Sequence, residues 1–99
     1  MTELTSKQRA YLRGLASALD PLFQVGKAGV TPEVVRSVSE LFNTHELIKG
    51  SVLKSCTEDL RTVSDKLAGR TRSAGVQVIG RRIVLYKPFD EEPEIVLPK

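Results

Sequence analysis

Apolar residues Leu12, Leu15, Ala16 and Leu19 recur at intervals of three and four, the spacing that lines one face of a helix, and Thr5 or Ser6 can cap its start. Asp20-Pro21 ends that pattern, because a proline disfavours helix at the residue before it. Leu22 to Val25 then reads as a short strand running into Gly26-Lys27-Ala28-Gly29. Thr31 as N-cap, Pro32 at the first helical position and Glu33 in the first turn predict a second helix, with a core face of Val34, Val35, Val38, Leu41 and Phe42. Asn43 and Thr44 close it, and Leu47 to Cys56 alternates as a strand in which Gly50 marks a bulge or a close backbone contact. Thr57-Glu58-Asp59 supplies a cap and two acids for a third helix, whose stripe is Leu60, Val63, Leu67 and Ala68. Gly69 to Gly75 reads as a basic loop carrying Arg70 and Arg72, and Val76 to Ile79 and Ile83 to Tyr86 flank Gly80-Arg81-Arg82 as a hairpin.

The predicted order is therefore α-β-α-β-α-β-β, an α/β fold: a small sandwich of about four strands with helices packed on the sheet. Glu94-Ile95-Val96-Leu97 is open between a short edge strand and a loose segment. Ninety-nine residues, 40% of them hydrophobic, suit one core and are too few for two. A single cysteine cannot form an internal disulfide, and no apolar run approaches the roughly 20 residues that a membrane span needs. Met1-Thr2-Glu3-Leu4 does not open a secretory signal, so the expected location is cytoplasmic.

Charge divides the chain. Of its 15 basic and 12 acidic residues, Asp90, Glu91, Glu92 and Glu94 fall in the last ten, opposed only by Lys99. Residues 1–89 thus hold 14 basic and 8 acidic residues, a basic body followed by an acidic tail at 90–99 that is placed to screen it. Such a body attracts polyanions through counterion release, although many soluble proteins are basic for solubility alone.

Gly26-Lys27-Ala28-Gly29 carries the most specific chemistry. Two glycines framing a lysine let backbone N–H groups approach a ligand beside a mobile cation, and the start of a helix after Thr31 adds a field favourable to phosphate. G-x-x-x-x-G-K-[ST] and G-x-G-x-x-G are both missing, so nucleotide hydrolysis and dinucleotide binding lose their usual support. Arg9 and Arg13 lie four apart on the first helix, with Lys7 near its start. Like charges at that spacing cost a few tenths of a kcal/mol, which suits an anionic partner without requiring one. Arg81 and Arg82 at the hairpin tip and Lys49 on a strand are further candidates for phosphate.

His45 and Cys56 stand alone without a nucleophile signature: His45 suits the negative end of the second helix, and Cys56 a small buried position. No Cys/His cluster has metal-ligand spacing, and the carboxylates single out no acid/base pair, so neither catalysis, metal nor cofactor is expected. Phe23 and Phe42 read as core and Tyr11, Tyr86 and Phe89 as partly exposed, an arrangement that favours backbone recognition over base stacking on the sheet.

Taken together, Leu4-Thr5-Ser6-Lys7-Gln8-Arg9, Leu12-Arg13, Val25 to Thr31, His45 to Lys49, Val76 to Arg81 and Val84 to Pro88 resemble the CRM domain, the chloroplast RNA splicing and ribosome maturation family, with its stand-alone bacterial YhbY-type members. The resemblance spans nearly the whole chain. It implies a fold like the C-terminal domain of translation initiation factor three and binding to ribosomal RNA in precursors of the large ribosomal subunit, with no membrane or small-molecule substrate. The family's G-x-x-G loop maps onto Gly26, Lys27, Ala28 and Gly29, and its basic first helix onto Lys7, Arg9 and Arg13. Gly50-Ser51 and the basic Arg70-Thr71-Arg72-Ser73 depart from the family pattern. The readings set against RNA binding are a protein-interaction domain that offers its basic surface to an acidic partner, and a small RNA-processing or phosphotransfer enzyme.

Overall fold

The computed structural model describes residues 4–98. Its elements are α1 (Ser6–Ala16), β1 (Phe23–Val25), α2 (Pro32–Leu41), β2 (Leu47–Val52), α3 (Leu60–Thr71), β3 (Ala74–Ile79) and β4 (Arg82–Tyr86), in the predicted order. Side-chain oxygens start each helix. Thr5 Oγ accepts the Gln8 N–H while the Gln8 side chain accepts the Thr5 N–H, each at 3.1 Å. Thr31 Oγ accepts the Val34 N–H at 3.2 Å ahead of Pro32. Asp59, rather than Thr57, caps α3 by accepting the Arg61 and Thr62 N–H groups.

The sheet runs β1-β2-β4-β3. β1 and β2 are parallel, joined across α2, whereas β4 is antiparallel to both neighbours and fills the gap that α3 spans between β2 and β3. Alternate residues divide between two cores. Phe23, Val25, Ile48, Val52, Ile83 and Leu85 meet Val38 and Phe42 of α2 and Val63 and Leu67 of α3. Leu47, Val76, Val84 and Tyr86 meet Leu12 and Ala16 of α1 on the opposite face. Each such fully buried aliphatic or aromatic side chain contributes about 1.5–3 kcal/mol relative to exposure. Burial, and secondarily the charge of Glu46, pushes the Tyr86 hydroxyl above its ordinary pKa.

Several local expectations are corrected. α1 stops at Ala16, so Leu19 falls in the turn beyond it and is 37% exposed, while Leu15, inside the helix but off the face that buries Leu12 and Ala16, is 39% exposed; Leu4, Ile95 and Leu97 add to the cluster on that face. Tyr86 is buried, held in that same cluster. β2 ends at Val52, where the chain turns back with the Cys56 N–H on the Leu53 carbonyl at 3.0 Å. The basic loop expected at 69–75 is helix as far as Thr71, whose buried hydroxyl donates to Leu67 O at 2.6 Å. Arg72 then takes a left-handed φ of 56°, and Gly75 already lies in β3.

Gly50 marks a close approach, not a bulge: the Phe23 ring lies directly over it, where a Cβ would overlap the ring. The sheet's bulge falls in β3 between Gly75 and Gln77, which adds Val76 to the α1 face. Residues 94–97 form no strand, yet they are held to the body. Glu46, 4% exposed, accepts the Phe89 N–H on one carboxylate oxygen and the Glu94 and Ile95 N–H groups on the other, at 2.7–2.8 Å. Gln8 adds a bond to Pro98 O at 3.0 Å. No helix among the described residues is long and apolar enough to cross a membrane.

Candidate functional site

The chain leaves β1 at its C-terminal end and folds Gly26 to Gly29 into a tight turn, closed by the Gly29 N–H on Gly26 O at 2.9 Å. Gly29 has a φ of 71°, a conformation that costs glycine little, and a Cβ there would collide with the Glu58 carboxylate. Glu58 braces the turn from behind. One of its oxygens accepts the Val30 N–H at 3.2 Å and the other pairs with Lys66. The Lys66 hydrogen bond, then the Val30 bond, hold the Glu58 carboxyl below its ordinary pKa. The Arg70 guanidinium donates to Val30 O at 3.3 Å.

These contacts decide which groups of the turn can meet a ligand. The Gly29 and Val30 N–H groups are engaged internally, and Thr31 Oγ serves as the cap of α2. Lys27 and Ala28 project into solvent, and among the described residues neither of their N–H groups has a partner in the chain. The part of the motif left without internal partners is thus two adjacent amides and one lysine, with a glycine on each side for geometry.

Because β1 and β2 are parallel, the segment after β2 lies beside the glycine turn. The Leu53 N–H bonds Val25 O at 2.9 Å, which places Lys54 and Ser55 next to it. Arg81 clamps this region by donating from Nε to Val52 O at 2.8 Å and from a terminal nitrogen to Leu53 O at 2.7 Å. That engagement makes Arg81 a structural brace as much as a cation. Arg82, exposed, sits opposite Ser51 in the sheet, and Lys49 two residues earlier on β2 lies on that same α1-side face, half-buried.

The basic residues of α1 lie elsewhere. Arg9 donates to the Gly75 and Val76 carbonyls on β3, and Arg13 stands beside it over the same strand. β3 and β1 are opposite edges of the sheet, three strand spacings or roughly 14 Å apart. Lys7 is exposed on α1. The structure therefore gathers the turn, Thr31, Arg81 and Arg82 toward one end of the sheet and separates them from Arg9 and Arg13.

Lys54, Glu58 and Arg70 join the glycine turn in the fold without having been singled out for it from the sequence. Only Lys54 carried a signal: once β1 and β2 are known to be parallel, the loops after them must adjoin. His45 Nδ1 lies 2.8 Å from Thr44 Oγ and 3.2 Å from Leu41 O at the end of α2, while Cys56 is buried past the far end of β2, so they form no catalytic pair. Among the described residues no group of three His, Cys, Asp or Glu side chains is placed to hold a metal.

A βαβ unit whose first loop is an exposed glycine turn, enclosed with a β-hairpin in a four-stranded sheet, defines a small α/β binding module. Residues 4–87 match the CRS1 / YhbY (CRM) domain, and the chain belongs to that family. It is 46% identical over 95 residues to the probable RNA-binding protein YqeI of Bacillus subtilis, covering 96% of this chain and 99% of that one. Identity to an RNA-binding protein of Haemophilus influenzae is 38% over 99 residues, covering 100% and 99% of the two chains. The solution structure of the hypothetical protein SAV1595 from Staphylococcus aureus superposes with a TM-score of 0.83 at 42% identity, covering 97% of this chain and 100% of that one.

Proposed function

We propose that this protein binds RNA through its sugar-phosphate backbone at the glycine turn and serves as a non-catalytic factor on ribosomal RNA in precursors of the large ribosomal subunit. The observation that carries the reading is that the exposed residues Lys27 and Ala28 have backbone N–H groups with no partner in the chain, on a turn that Glu58 and Arg70 fix from behind. Outward N–H groups at a rigid turn receive a phosphate oxygen without reorganisation, and Lys27 supplies the opposite charge. Lys54 and Arg82, on the adjoining loop and strand, extend the cationic surface, and Lys49 continues it onto the sheet. Family membership and the RNA-binding relatives support the same reading.

The test replaces Lys27 and Ala28 together by aspartate, keeping both glycines. Both residues are exposed, so stability should move by no more than about 0.5 kcal/mol. Affinity for ribosomal RNA, titrated over a range of potassium chloride concentrations, should fall steeply with salt in the parent and drop in the variant at every salt. A folded double variant that binds RNA and co-sediments with large-subunit precursors like the parent refutes the clamp.

A further inference from the structure

The β3 edge carries a second surface that the glycine turn does not use. A groove of about 540 Å³ runs along Gly75 to Ile79, walled by Arg9 and Arg13 of α1 on one side and by Arg61, Ser64 and Asp65 of α3 on the other. β3 is the outermost strand, so its free side offers backbone groups rather than a neighbour. The two-residue turn at Gly80-Arg81 makes Ile79 and Arg82 a pair that exchanges both backbone bonds. The N–H and C=O of Val78 therefore face outward, into the groove. Arg9 engages the carbonyls of Gly75 and Val76 at the bulge, so the stretch left open begins at Gln77. Ile79, 60% exposed, stands at its end.

We propose that this groove takes an extended acidic segment of a protein partner, added as a further strand beside β3. Backbone groups of Val78 supply the ladder, and Arg13 and Arg61 pair with carboxylates that project alternately from the added strand. Charge selects the occupant. Three arginines face one aspartate, so a second copy of this chain docked edge to edge brings arginine against arginine, while an acidic strand neutralises them. RNA fits less well: the lining holds no aromatic side chain for a base, and the groove lies on the edge opposite the glycine turn.

The experiment selects a phage-displayed library of random octapeptides on the full-length protein. Enriched peptides should carry glutamate or aspartate at positions an odd number of residues apart, whose side chains reach both walls, slow amide hydrogen exchange at Val78, and lose about tenfold in affinity, or about 1.4 kcal/mol, in an Arg13→Glu/Arg61→Glu variant. Both arginines are exposed, and a thermal melt checks that the variant remains folded. The Lys27→Asp/Ala28→Asp variant should bind the peptides like the parent, which separates this site from the RNA reading. Selection without acidic enrichment, or peptides indifferent to the arginine reversals, overturns the proposal. So does a twelve-nucleotide oligouridylate that protects Val78 and depends on Arg13 and Arg61, since it assigns the groove to RNA.

Discussion

Replacing Glu46 by alanine tests whether the C-terminal segment is an integral part of the fold. Glu46 is buried just ahead of β2, and its carboxylate accepts three backbone N–H groups, from Phe89, Glu94 and Ile95, at 2.7–2.8 Å. A protein hydrogen bond contributes about 1 kcal/mol net, and more when the acceptor is charged, while a donor left buried and unpaired costs about 1–3 kcal/mol. The donors are only part-buried, so water can reach them once the carboxylate is gone, which puts each loss near the lower figure. Three bonds at about 1 kcal/mol each give a destabilisation of about 3 kcal/mol for Glu46→Ala. Urea denaturation measures it directly, provided the m-value is unchanged.

A chain truncated after Phe89 sharpens the test, because it lacks the donors at Glu94 and Ile95 and keeps that of Phe89. There the same substitution should cost only about 1 kcal/mol, leaving a coupling of about 2 kcal/mol between Glu46 and the C-terminal segment in the double-mutant cycle. Equal costs in the full and truncated chains would show that the Glu94 and Ile95 bonds contribute nothing and that Glu46 acts only within residues 1–89. Truncation also uncovers part of the α1-side cluster against which Ile95 and Leu97 pack, so any RNA comparison between the two chains must correct for the folded fraction.

Two further outcomes follow from close contacts. Gly50→Ala drives a methyl into the Phe23 ring and should cost about 1–3 kcal/mol by denaturation, with part of the loss recovered when Phe23→Leu is added; an alanine tolerated without cost shows that the ring moves freely. Glu58 gives a pH signature. Its carboxyl is held below the ordinary value of 4.5, so its grip on Val30 is complete above that value and is lost as pH falls through the lowered one. The Val30 amide resonance should therefore titrate with a midpoint below 4.5 and lose that transition in Glu58→Gln; a midpoint at or above 4.5 removes the Lys66 pairing as its cause.

The fold was legible because its signals are local. Apolar spacing placed Leu12 and Ala16, Val38, and Val63 and Leu67 on the buried faces of their helices, and Thr31-Pro32-Glu33 marked a helix start to the residue. Errors cluster where a distant segment changes the outcome. Leu19 fits the periodic stripe, but α1 ends at Ala16, and the cluster beneath it is completed by Ile95 and Leu97, which no pattern within 20 residues reveals. Gly50 announced an irregularity without saying which kind, because the ring that requires it belongs to Phe23 on another strand.

The candidate site was harder to read, since charge alone does not say what an arginine does. Arg9 on the first helix and Arg81 and Arg82 at the hairpin tip all read along the chain as basic residues available to phosphate, the latter two as secondary candidates. In the fold, Arg9 donates to carbonyls 66 and 67 residues away and Arg81 to carbonyls 29 and 28 away, so both hold the protein's own backbone where it lacks a partner strand. A guanidinium already engaged by carbonyls keeps its charge but has fewer N–H groups to offer a phosphate, and moving it breaks the contacts that position its element. Lys27 carries no such contact, and neither do the two amides beside it. Replacing Arg81 should therefore lower stability and RNA affinity together, whereas replacing Lys27 should lower affinity alone. That contrast separates residues that build the surface from those that meet the ligand.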